Sequence, residues 1–387
     1  MTDTPKKDQL YALIRDDPFI SQQELAQQLG LSRSAVAGHI ASLIRERRLL
    51  GRAYVLPQPA DQRPLLCIGA ANLDRKLRTS AAIQPGTSNP ATAQEVCGGV
   101  ARNIAENLAR LGLPVGLLTA LGDDAAGRTL HDQAQSAGID TRGSLSLANT
   151  ASGTYTAILD QGGDLHVALA DMALYEQLTP QFLASRQPQR SAAALTVADL
   201  NLPHDSVAAL LEHARADGPP LVIVAVSQPK MARLPHDLRG LRLLILNRGE
   251  LETLAGQALP TEAAVGAACA ALQARGAGDV IVTCGSQGVF HTSAGQLVWL
   301  AAHEVGVVDV TGAGDAFSAA VCWSLWHESG PGDLTLACRR GLALAAATVQ
   351  SPHTVCPTLD ASLLSAITAS PAAHQHDHGA PLYLNQD

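Results

Sequence analysis

Short apolar runs alternate with helical segments along most of this chain, from about residue 64 to residue 360. The runs include LLCIGAANLD, VGLLTALG, AALTVADLN, LVIVAVS, LLILN and DVIVTCG, and GGVARNIAENLARLG is one of the helical segments between them. Continuous apolar runs of this length are typical of parallel strands that are buried on both faces. Because parallel neighbours need a crossover, usually a helix, the pattern predicts a doubly wound α/β fold with a mostly parallel sheet.

Two stretches inside this region, about 75–95 and 150–169, alternate polar and apolar residues instead. Such alternation is typical of strands with one face exposed to water. We therefore expect a small antiparallel β lid inserted into the α/β body.

Residues 1–57 have a different pattern, that of three short helices followed by a hairpin. Ser21 and Glu24 have the spacing of a capping box at the start of the second helix, and residues 48–56 read as two short strands around a glycine turn. Three helices and a hairpin make up a winged helix-turn-helix domain, and the span LAQQLGLSRSAVAGHIASLIRERRLL resembles bacterial regulators of that class. The polar segment 58–63 is predicted as a linker.

The predicted recognition helix and wing carry several basic residues, although the net charge of the whole chain is −8. Basic groups there can neutralise DNA phosphates, and a recognition helix can reach base edges in the major groove. Any DNA contact must be local, and the alternative is a small domain that only packs on its neighbour or contacts another protein. The candidate DNA contacts are Arg33, Ser34, Arg45, Arg47, Arg48 and Arg52.

Seven scattered cysteines without a C-x-x-C pair favour reduced thiols over disulfides or a zinc site. No apolar run approaches the roughly 20 residues that a membrane helix needs, and the start MTDTPKKDQL lacks the apolar stretch of a signal peptide. We expect a cytoplasmic protein that does not contact a membrane. Residues 361–387, which include His374, His376 and His378, are expected to form a flexible tail with adventitious metal affinity.

The sequence Asp309-Val-Thr-Gly-Ala-Gly-Asp-Ala-Phe317 is the most informative local feature. The preceding EVGVVDV is predicted as a strand and the following AFSAAVCWSLW as a helix, so the glycines form a turn at a helix N-terminus. Such a turn lets backbone N–H groups and the helix dipole meet an anion. Asp315 at the start of the helix can accept a proton from a hydroxyl nucleophile, so the segment suits in-line phosphoryl transfer.

This D-x-T-G-A-G-D-x-F segment closely resembles the C-terminal signature of the ribokinase (PfkB) carbohydrate kinase family. Gly98-Gly-Val-Ala-Arg-Asn103 resembles the N-terminal signature of that family, and the resemblance extends from about Leu65 to Leu359. It implies a ribokinase-like fold, Asp315 as the base, and an anion hole formed by Gly312, Ala313 and Gly314. It also implies acceptor contacts from Asn72, Asp74, Gly99, Arg102 and Asn103.

The same resemblance implies an ATP side lined by Asn247, Thr283, Gly285 and Gly288, with Glu250 organising water around Mg²⁺. Asp309 and the Val310 carbonyl fall where many relatives hold a monovalent cation such as K⁺.

Several segments, among them CGGVARNIAENLARLG and LNRGELETLAG, are similar to pseudouridine kinases, some of whose relatives carry a winged helix. The likeness implies that Asn89 and Asp171 lie near the base or ribose and Lys230 near the nucleotide phosphates; lid packing or a surface position is the alternative for each. It favours 5′-phosphorylation of a nucleoside, pseudouridine first. The alternatives are ribose, inosine or guanosine, 2-keto-3-deoxygluconate, or a regulator whose kinase fold only senses a ligand. Exposed lid edges favour a homodimer.

Overall fold

A computed structural model describes residues 5–16, 20, 22–49, 62–327 and 332–368. The predicted capping residue Ser21, the hairpin residues from 50 to 56 with Arg52, the linker residues 58–61 and the tail from 369 onward lie outside these ranges. Three helices form the N-terminal domain: α1 (Lys6–Asp16), α2 (Gln22–Leu29) and α3 (Arg33–Arg45). They pack around a separate apolar cluster that includes Leu10, Ile14, Leu25, Val36 and Leu43.

An eight-stranded sheet forms the centre of the second domain. Six neighbouring strands are parallel: β1 (Leu65–Ile68), β4 (Val115–Leu118), β9 (Leu195–Asp199), β10 (Leu221–Val224), β11 (Leu241–Asn247) and β12 (Asp279–Thr283). The hairpin β13 (Gly288–Ser293) and β14 (Gln296–Ala301) continues one edge in the antiparallel sense. The strand order is β14-β13-β12-β11-β10-β9-β1-β4. The predicted mostly parallel sheet is confirmed.

Helices cover both faces of this sheet. Leu65 and Cys67 of β1 belong to one apolar cluster, and Leu66 and Ile68 belong to the other, because successive side chains of a strand point to opposite faces. The first cluster receives α4 (Val100–Arg110), α5 (Ala125–Ser136), α11 (Ala313–His327), α12 (Leu334–Val349) and α13 (Ala361–Ser365). The second receives α6 (Pro180–Ser185), α8 (His204–Arg215), α9 (Arg248–Ala255) and α10 (Glu262–Ala274), while α7 (Gln187–Ala192) follows α6. In the described ranges, no helix combines the length and apolarity that crossing a bilayer requires.

A smaller sheet has four strands: β2 (Asn72–Thr79), β3 (Ala91–Gly98), β7 (Thr154–Leu159) and β8 (Leu165–Asp171), in the order β3-β2-β7-β8. We call it the lid sheet. The prediction of an antiparallel lid is wrong for its central pair, because β2 and β7 run parallel. The long connection between them, which contains α4, β4, α5 and the short strands β5 (Ala120–Gly122) and β6 (Leu145–Leu147), returns the chain to the same end of the sheet.

The predicted strand EVGVVDV is also wrong, since residues 302–310 form neither helix nor strand. Val307, Val308 and Val310 are exposed, and the N–H groups of Val308 and Asp309 both donate to the carbonyl of Val349 at the end of α12. β-Branched residues favour extended backbone, but this segment is held by a helix end and not by a neighbouring strand.

Candidate active site

The carboxyl ends of the parallel strands bring the predicted site residues to one edge of the central sheet. Asn247 ends β11 and is the register partner of Thr283, which ends β12. Towards the opposite edge of the sheet, β1 lies between β4 and β9. The next strand of the central sheet along the chain, β4, is on one side of β1, and the following one, β9, is on the other, so the strand order reverses at β1. Ligands of open α/β sheets bind at such a switch point, outside the carboxyl ends of the strands.

Asp315 lies in the first turn of α11 and is half-buried. Its Oδ2 accepts a hydrogen bond of 2.8 Å from Nδ2 of Asn103. Burial, together with the charges of Asp199 and Asp74, raises the pKa of Asp315 to about 7, while the Asn103 hydrogen bond and Arg102 oppose the shift. A carboxylate with a pKa near neutrality can act as a general base at physiological pH.

Arg102 holds Asn103 in place. Its Nη1 donates to Oδ1 of Asn103 at 3.0 Å and to the Cys97 carbonyl at 2.9 Å, and its Nη2 donates to Glu106. Arg102 is 4% exposed and its guanidinium bonds inside the protein. Its expected contact with the acceptor stays a prediction. The Asn103 amide is shared between Arg102 and Asp315, so Asn103 links the two side chains.

The glycine turn at the start of α11 has two glycines in different surroundings, Gly312 before the helix and Gly314 in its first turn. Gly312 has φ +83°, and a Cβ there would lie 2.0 Å from the carbonyl oxygen of Thr354, so no other residue fits. A Cβ on Gly314 would meet nothing within 4 Å, which leaves open space in front of the turn. The N–H groups of the first helical turn have no intrahelical partner and lie at the positive end of the dipole. The turn therefore offers an anion site beside Asp315.

The first residues of β2 include the expected acceptor contacts Asn72 and Asp74, and we call this region the proposed acceptor side. Asn72 is buried and donates from Nδ2 to Oδ1 of Asp74 at 2.5 Å. Burial raises the pKa of Asp74 to about 6, against the Asn72 hydrogen bond and the charges of Lys76 and Arg102. A Cβ on Gly98 would lie 2.1 Å from Oδ2 of Asp74, so this glycine makes room for the carboxylate.

Gly99 precedes α4 and brings that helix against the end of β1. Its φ is +101°, and a Cβ there would lie 2.5 Å from the Ala70 carbonyl oxygen. The close approach sets the start of α4, and with it Asn103, next to the proposed acceptor side.

Two residues at this edge were missed in the sequence. Asp199, the buried last residue of β9, accepts hydrogen bonds from the N–H groups of Ala70 at 2.9 Å and Ala101 at 3.0 Å. It thereby ties the end of β1 to the start of α4, and its charge raises the pKa of Asp315. Tyr175 donates its hydroxyl to the Ala71 carbonyl at 2.5 Å. The polar end of the apolar run AALTVADLN was the available signal for Asp199; nothing local marked Tyr175.

Asn247 and Glu250, which were expected on the ATP side, form a capping box at the start of α9. Oδ1 of Asn247 accepts from the Glu250 N–H at 2.9 Å, and Oε2 of Glu250 accepts from the Asn247 N–H at 2.7 Å. Glu250 is 2% exposed, and burial raises its pKa. Gly285 has open space around it, whereas a Cβ on Gly288 would lie 2.1 Å from the Leu300 carbonyl oxygen.

Lys230 is half-buried in the 3₁₀ helix Gln228–Arg233 that follows β10. Burial and the charge of Arg233 lower its pKa, while Glu176 and Asp199 act in the opposite direction. The influence of Asp199 indicates that Lys230 lies towards the end of β9.

Asp309 already has a cationic partner. Lys76 of the lid sheet approaches Oδ2 of Asp309 with its Nζ at 2.9 Å, while Oδ1 accepts from the N–H and hydroxyl of Thr311 at 2.8 and 2.6 Å. Asp309 and the Val310 carbonyl were expected to hold a monovalent cation. The Asp309 carboxylate is instead paired with the ammonium group of Lys76. The pair also joins the lid sheet to the glycine turn.

Of the two lid residues, the structure brings only Asp171 towards the site. Asp171 pairs with Thr154, which in turn pairs with Leu73, so it lies two strands from the first residues of β2. Asn89 lies in the loop at the opposite end of the β2–β3 ribbon, where its amide bonds to Gln84 and Thr87. Its polar atoms fix the loop, and the expectation that Asn89 lies near the base or ribose stays a prediction.

The candidate DNA contacts in the described ranges divide into three groups. Arg33 and Ser34 are exposed at the start of α3. Arg48 is half-buried and makes its contacts within the N-terminal domain: its Nη1 bonds to Asp8 at 2.7 Å and its guanidinium stacks on Tyr11. Arg45 and Arg47, at the other end of α3, face the second domain.

Comparisons with known proteins agree with this arrangement. A family model described as pfkB family carbohydrate kinase matches residues 62–360, and one described as winged helix-turn-helix DNA-binding matches residues 8–47. An uncharacterized sugar kinase of Escherichia coli, YeiI, is 33% identical over 320 residues, which are 82% of this chain and 87% of that protein. The pseudouridine kinase of the same organism is 32% identical over 262 residues, 67% of this chain and 83% of that protein.

Among solved structures, a carbohydrate kinase from Agrobacterium tumefaciens superposes with a TM-score of 0.67 at 31% identity. The match covers 79% of this chain and 96% of that one.

Proposed function

Because this chain belongs to the pfkB family of carbohydrate kinases, which are phosphotransferases with a hydroxyl acceptor, we propose that it phosphorylates the 5′-hydroxyl of a nucleoside, with pseudouridine as the first candidate. Kinases of this family use ATP. The observation that carries the proposal is the position of Asp315, a carboxyl with a pKa of about 7 at the N-terminus of α11, beside the open glycine turn. The cytoplasm, where ATP is abundant, is the proposed compartment.

In the proposed reaction, Asp315 accepts the proton of the attacking hydroxyl while that oxygen bonds to the γ-phosphorus and ADP leaves. Asn103 orients the carboxylate through its 2.8 Å hydrogen bond. The N–H groups of the turn, from Gly312 to Gly314, meet the negative charge of the transferred group. Asn72, Asp74 and Asp171 are the acceptor contacts that remain supported, since each lies at the site end of the lid sheet.

Glu250 fits the proposed role near Mg²⁺. Its buried carboxylate receives the Asn247 N–H but has no cationic partner within the described ranges, and an unpaired buried charge is costly. Mg²⁺ keeps several waters and needs few protein ligands, so Glu250 would hold its water shell together with the ATP phosphates, and the ion would supply positive charge at those phosphates. Asn247, Thr283 and Gly285 would line the nucleotide.

Similarity to a pseudouridine kinase over most of its length supports a nucleoside acceptor. Comparable similarity to an uncharacterized sugar kinase keeps ribose, inosine, guanosine and 2-keto-3-deoxygluconate as alternatives. An ADP-release assay against these compounds, pseudouridine and uridine, with Mg²⁺ and with or without K⁺, tests the proposal. Strong turnover of pseudouridine alone is the expected result; preferential turnover of a free sugar would overturn the nucleoside assignment.

DNA binding is a second candidate function. The family match of residues 8–47 and the exposed Arg33 and Ser34 at the start of α3 favour it. We propose that the protein, as a homodimer, binds DNA near its own gene. An electrophoretic assay on the upstream region, with and without nucleoside, tests this. Nucleoside binding without turnover, together with DNA binding, would favour a ligand-sensing regulator over an enzyme.

A further inference from the structure

A cleft of about 710 Å³ lies between the N-terminal domain and the α/β domain. One wall comes from the end of α3 and the residues after it, and the other from α7, α8 and the segments that lead into the central sheet. We call it the interdomain cleft. Its lining residues with polar side chains are Arg45, Arg47, Arg63, Gln187, Ser191, His213 and Asp217.

Positive charge dominates this cleft, although the whole chain carries a net charge of −8. Three arginines line it, against Asp217 as the one acidic residue among its described lining residues. Arg47 donates to the Asp217 carbonyl at 2.8 Å, with the Asp217 carboxylate at 3.5 Å. Arg45 makes no hydrogen bond or ion pair within the described part of the chain, and it is exposed.

Arg63 shows that the positive charges are crowded together. Its guanidinium donates to the carbonyls of Ala192 and Ala193 and meets no carboxylate in the described ranges. Burial, and then the charge of Arg47, lower its pKa. Two guanidinium groups that repel each other in a cleft are stabilised by an anion between them.

Arg190 adds an independent observation. It is 5% exposed, and its Nε and Nη2 have no hydrogen-bond partner in the described structure. Its charge lowers the pKa of His213, a lining residue, so Arg190 lies behind that wall. A buried guanidinium without an acidic partner carries positive charge that a bound anion would offset.

The interdomain cleft is separate from the candidate active site. Arg63, Ala194 and Pro220 precede β1, β9 and β10, so they lie at the amino edge of the central sheet. Asp199 and Asn247 lie at its carboxyl edge, where the phosphoryl-transfer residues gather.

We propose that the interdomain cleft binds a small phosphomonoester, such as a sugar phosphate. Its volume falls within the range of about 300–1,000 Å³ that is typical of small-molecule sites. Arginine is the side chain best suited to phosphate oxygens, and Gln187 and Ser191 can bond to neutral hydroxyl groups.

A ligand in this cleft contacts both domains at once, because Arg45 and Arg47 belong to one wall and Arg63 and His213 to the other. Occupancy therefore fixes the orientation of α3 relative to the kinase domain. The metabolite then becomes an effector of the N-terminal domain.

The test is calorimetric titration of the full chain with ribose 5-phosphate, and with ribose and inorganic phosphate as comparison probes. We expect the wild-type protein to bind ribose 5-phosphate saturably at the cleft. The Arg45→Gln/Arg47→Gln variant should bind it there at least about tenfold more weakly than the wild type, and any binding at the active site should be retained. The matched control is Arg128→Gln/Arg142→Gln, which removes the same charge from exposed sites outside the cleft.

The Arg45→Lys/Arg47→Lys variant should recover part of the binding, which a purely structural defect would not allow. Equal binding by ribose would show that the phosphate group is not recognised and would overturn the proposal. Unchanged binding in the glutamine variant, or an equal loss in the control, would overturn it as well. Catalytic turnover should stay the same in all of these variants, since none touches the carboxyl edge of the sheet.

Discussion

Nδ2 of Asn103 lies 2.8 Å from Oδ2 of Asp315, although 212 residues separate them in the sequence. This hydrogen bond joins the two glycine-containing segments of the kinase domain at the carboxyl edge of the sheet. Arg102 and Glu106 extend it into a buried chain behind the base. The orientation and the pKa of the proposed base are therefore set by the protein itself.

Asp315→Asn should lower kcat by at least about 10²-fold, because the side chain can no longer accept the proton of the acceptor hydroxyl. Substrate binding should persist, since asparagine is nearly isosteric with aspartate and can still accept the Asn103 hydrogen bond. Steady-state kinetics and calorimetric binding measure the two effects. Near-normal turnover would contradict the assignment of Asp315 as the base.

Thermal unfolding of the same variant provides its control. The folded-state pKa of Asp315, about 7, lies above the usual value of 3.8, so the folded protein loses stability as the pH rises from about 4 to about 7. The amide that replaces the carboxyl group in the variant has no charge to bury. The melting temperature of the variant minus that of the wild type should therefore increase over this range and level off above it. If the variant melts at a lower temperature than the wild type at pH 8, its loss of activity is explained by unfolding.

Asn103→Leu should shift the acid limb of the pH profile of kcat/KM to higher pH. The Asn103 hydrogen bond lowers the pKa of Asp315, so its removal raises that pKa above about 7 and the base ionises at higher pH. Gln133→Leu is the matched control, because Gln133 bonds to Arg102 at 3.2 Å without touching Asp315. An acid limb that moves equally in both variants would point to a general disturbance of the network.

Glu250→Gln should raise the Mg²⁺ concentration needed for half-maximal activity, since it removes the negative charge proposed to hold the ion's water shell. Glutamine can preserve the capping box with Asn247, so the helix start should remain intact. Activity as a function of free Mg²⁺ measures the effect, and circular dichroism checks the fold. An unchanged Mg²⁺ titration would contradict the role of Glu250.

Lys76→Met should reduce kcat/KM by up to about fivefold, because half-exposed ion pairs contribute at most about 1 kcal/mol and this pair connects the lid sheet to the glycine turn. Added K⁺ should partly restore the activity of the variant by replacing the ammonium group at Asp309. Arg75→Gln, which breaks an exposed ion pair with Glu95 on the same sheet, is the control. Restoration by K⁺ in the control as well would disconnect the effect from Asp309.

Arg33→Gln should weaken DNA binding and reduce the slope of log affinity against log salt by about one, the value for one lost phosphate contact. Electrophoretic titrations at several salt concentrations measure both quantities. Arg128→Gln removes a charge from the kinase domain and should leave the slope unchanged. Arg48→Gln should instead lower the stability of the N-terminal domain, because Arg48 is bonded to Asp8 and stacked on Tyr11.

Local pattern was sufficient for the fold class and for the position of Asp315 at the start of a helix. The apolar runs that became β1, β9, β10, β11 and β12 required two covered faces, and the glycines before Asp315 required a turn at a helix start. These features depend on neighbours in the sequence, whose periodicity and backbone preferences act over a few residues. The same kind of reasoning was wrong for EVGVVDV, since a strand also needs a partner that no local pattern reveals.

Tertiary structure alone decided which partner each polar side chain has. Arg102 was expected to contact the acceptor, but the turn of α4 directs it inward to Glu106 and Asn103. Asn89 was expected near the base or ribose because of the resemblance to pseudouridine kinases. The register of β2 with β3 places it at the far end of the lid sheet.

The sequence by itself therefore determined the layers of the fold and the chemical groups at its carboxyl edge. The tertiary structure decided which distant groups meet. It pairs Asn103 with Asp315 and Lys76 with Asp309, and it places the end of α3 along one wall of the interdomain cleft. Such contacts join residues that are distant along the chain, so they depend on how the crossovers bring helices and strands together. A charged side chain takes whichever partner that packing provides, because leaving it unpaired in the interior costs more than any local preference.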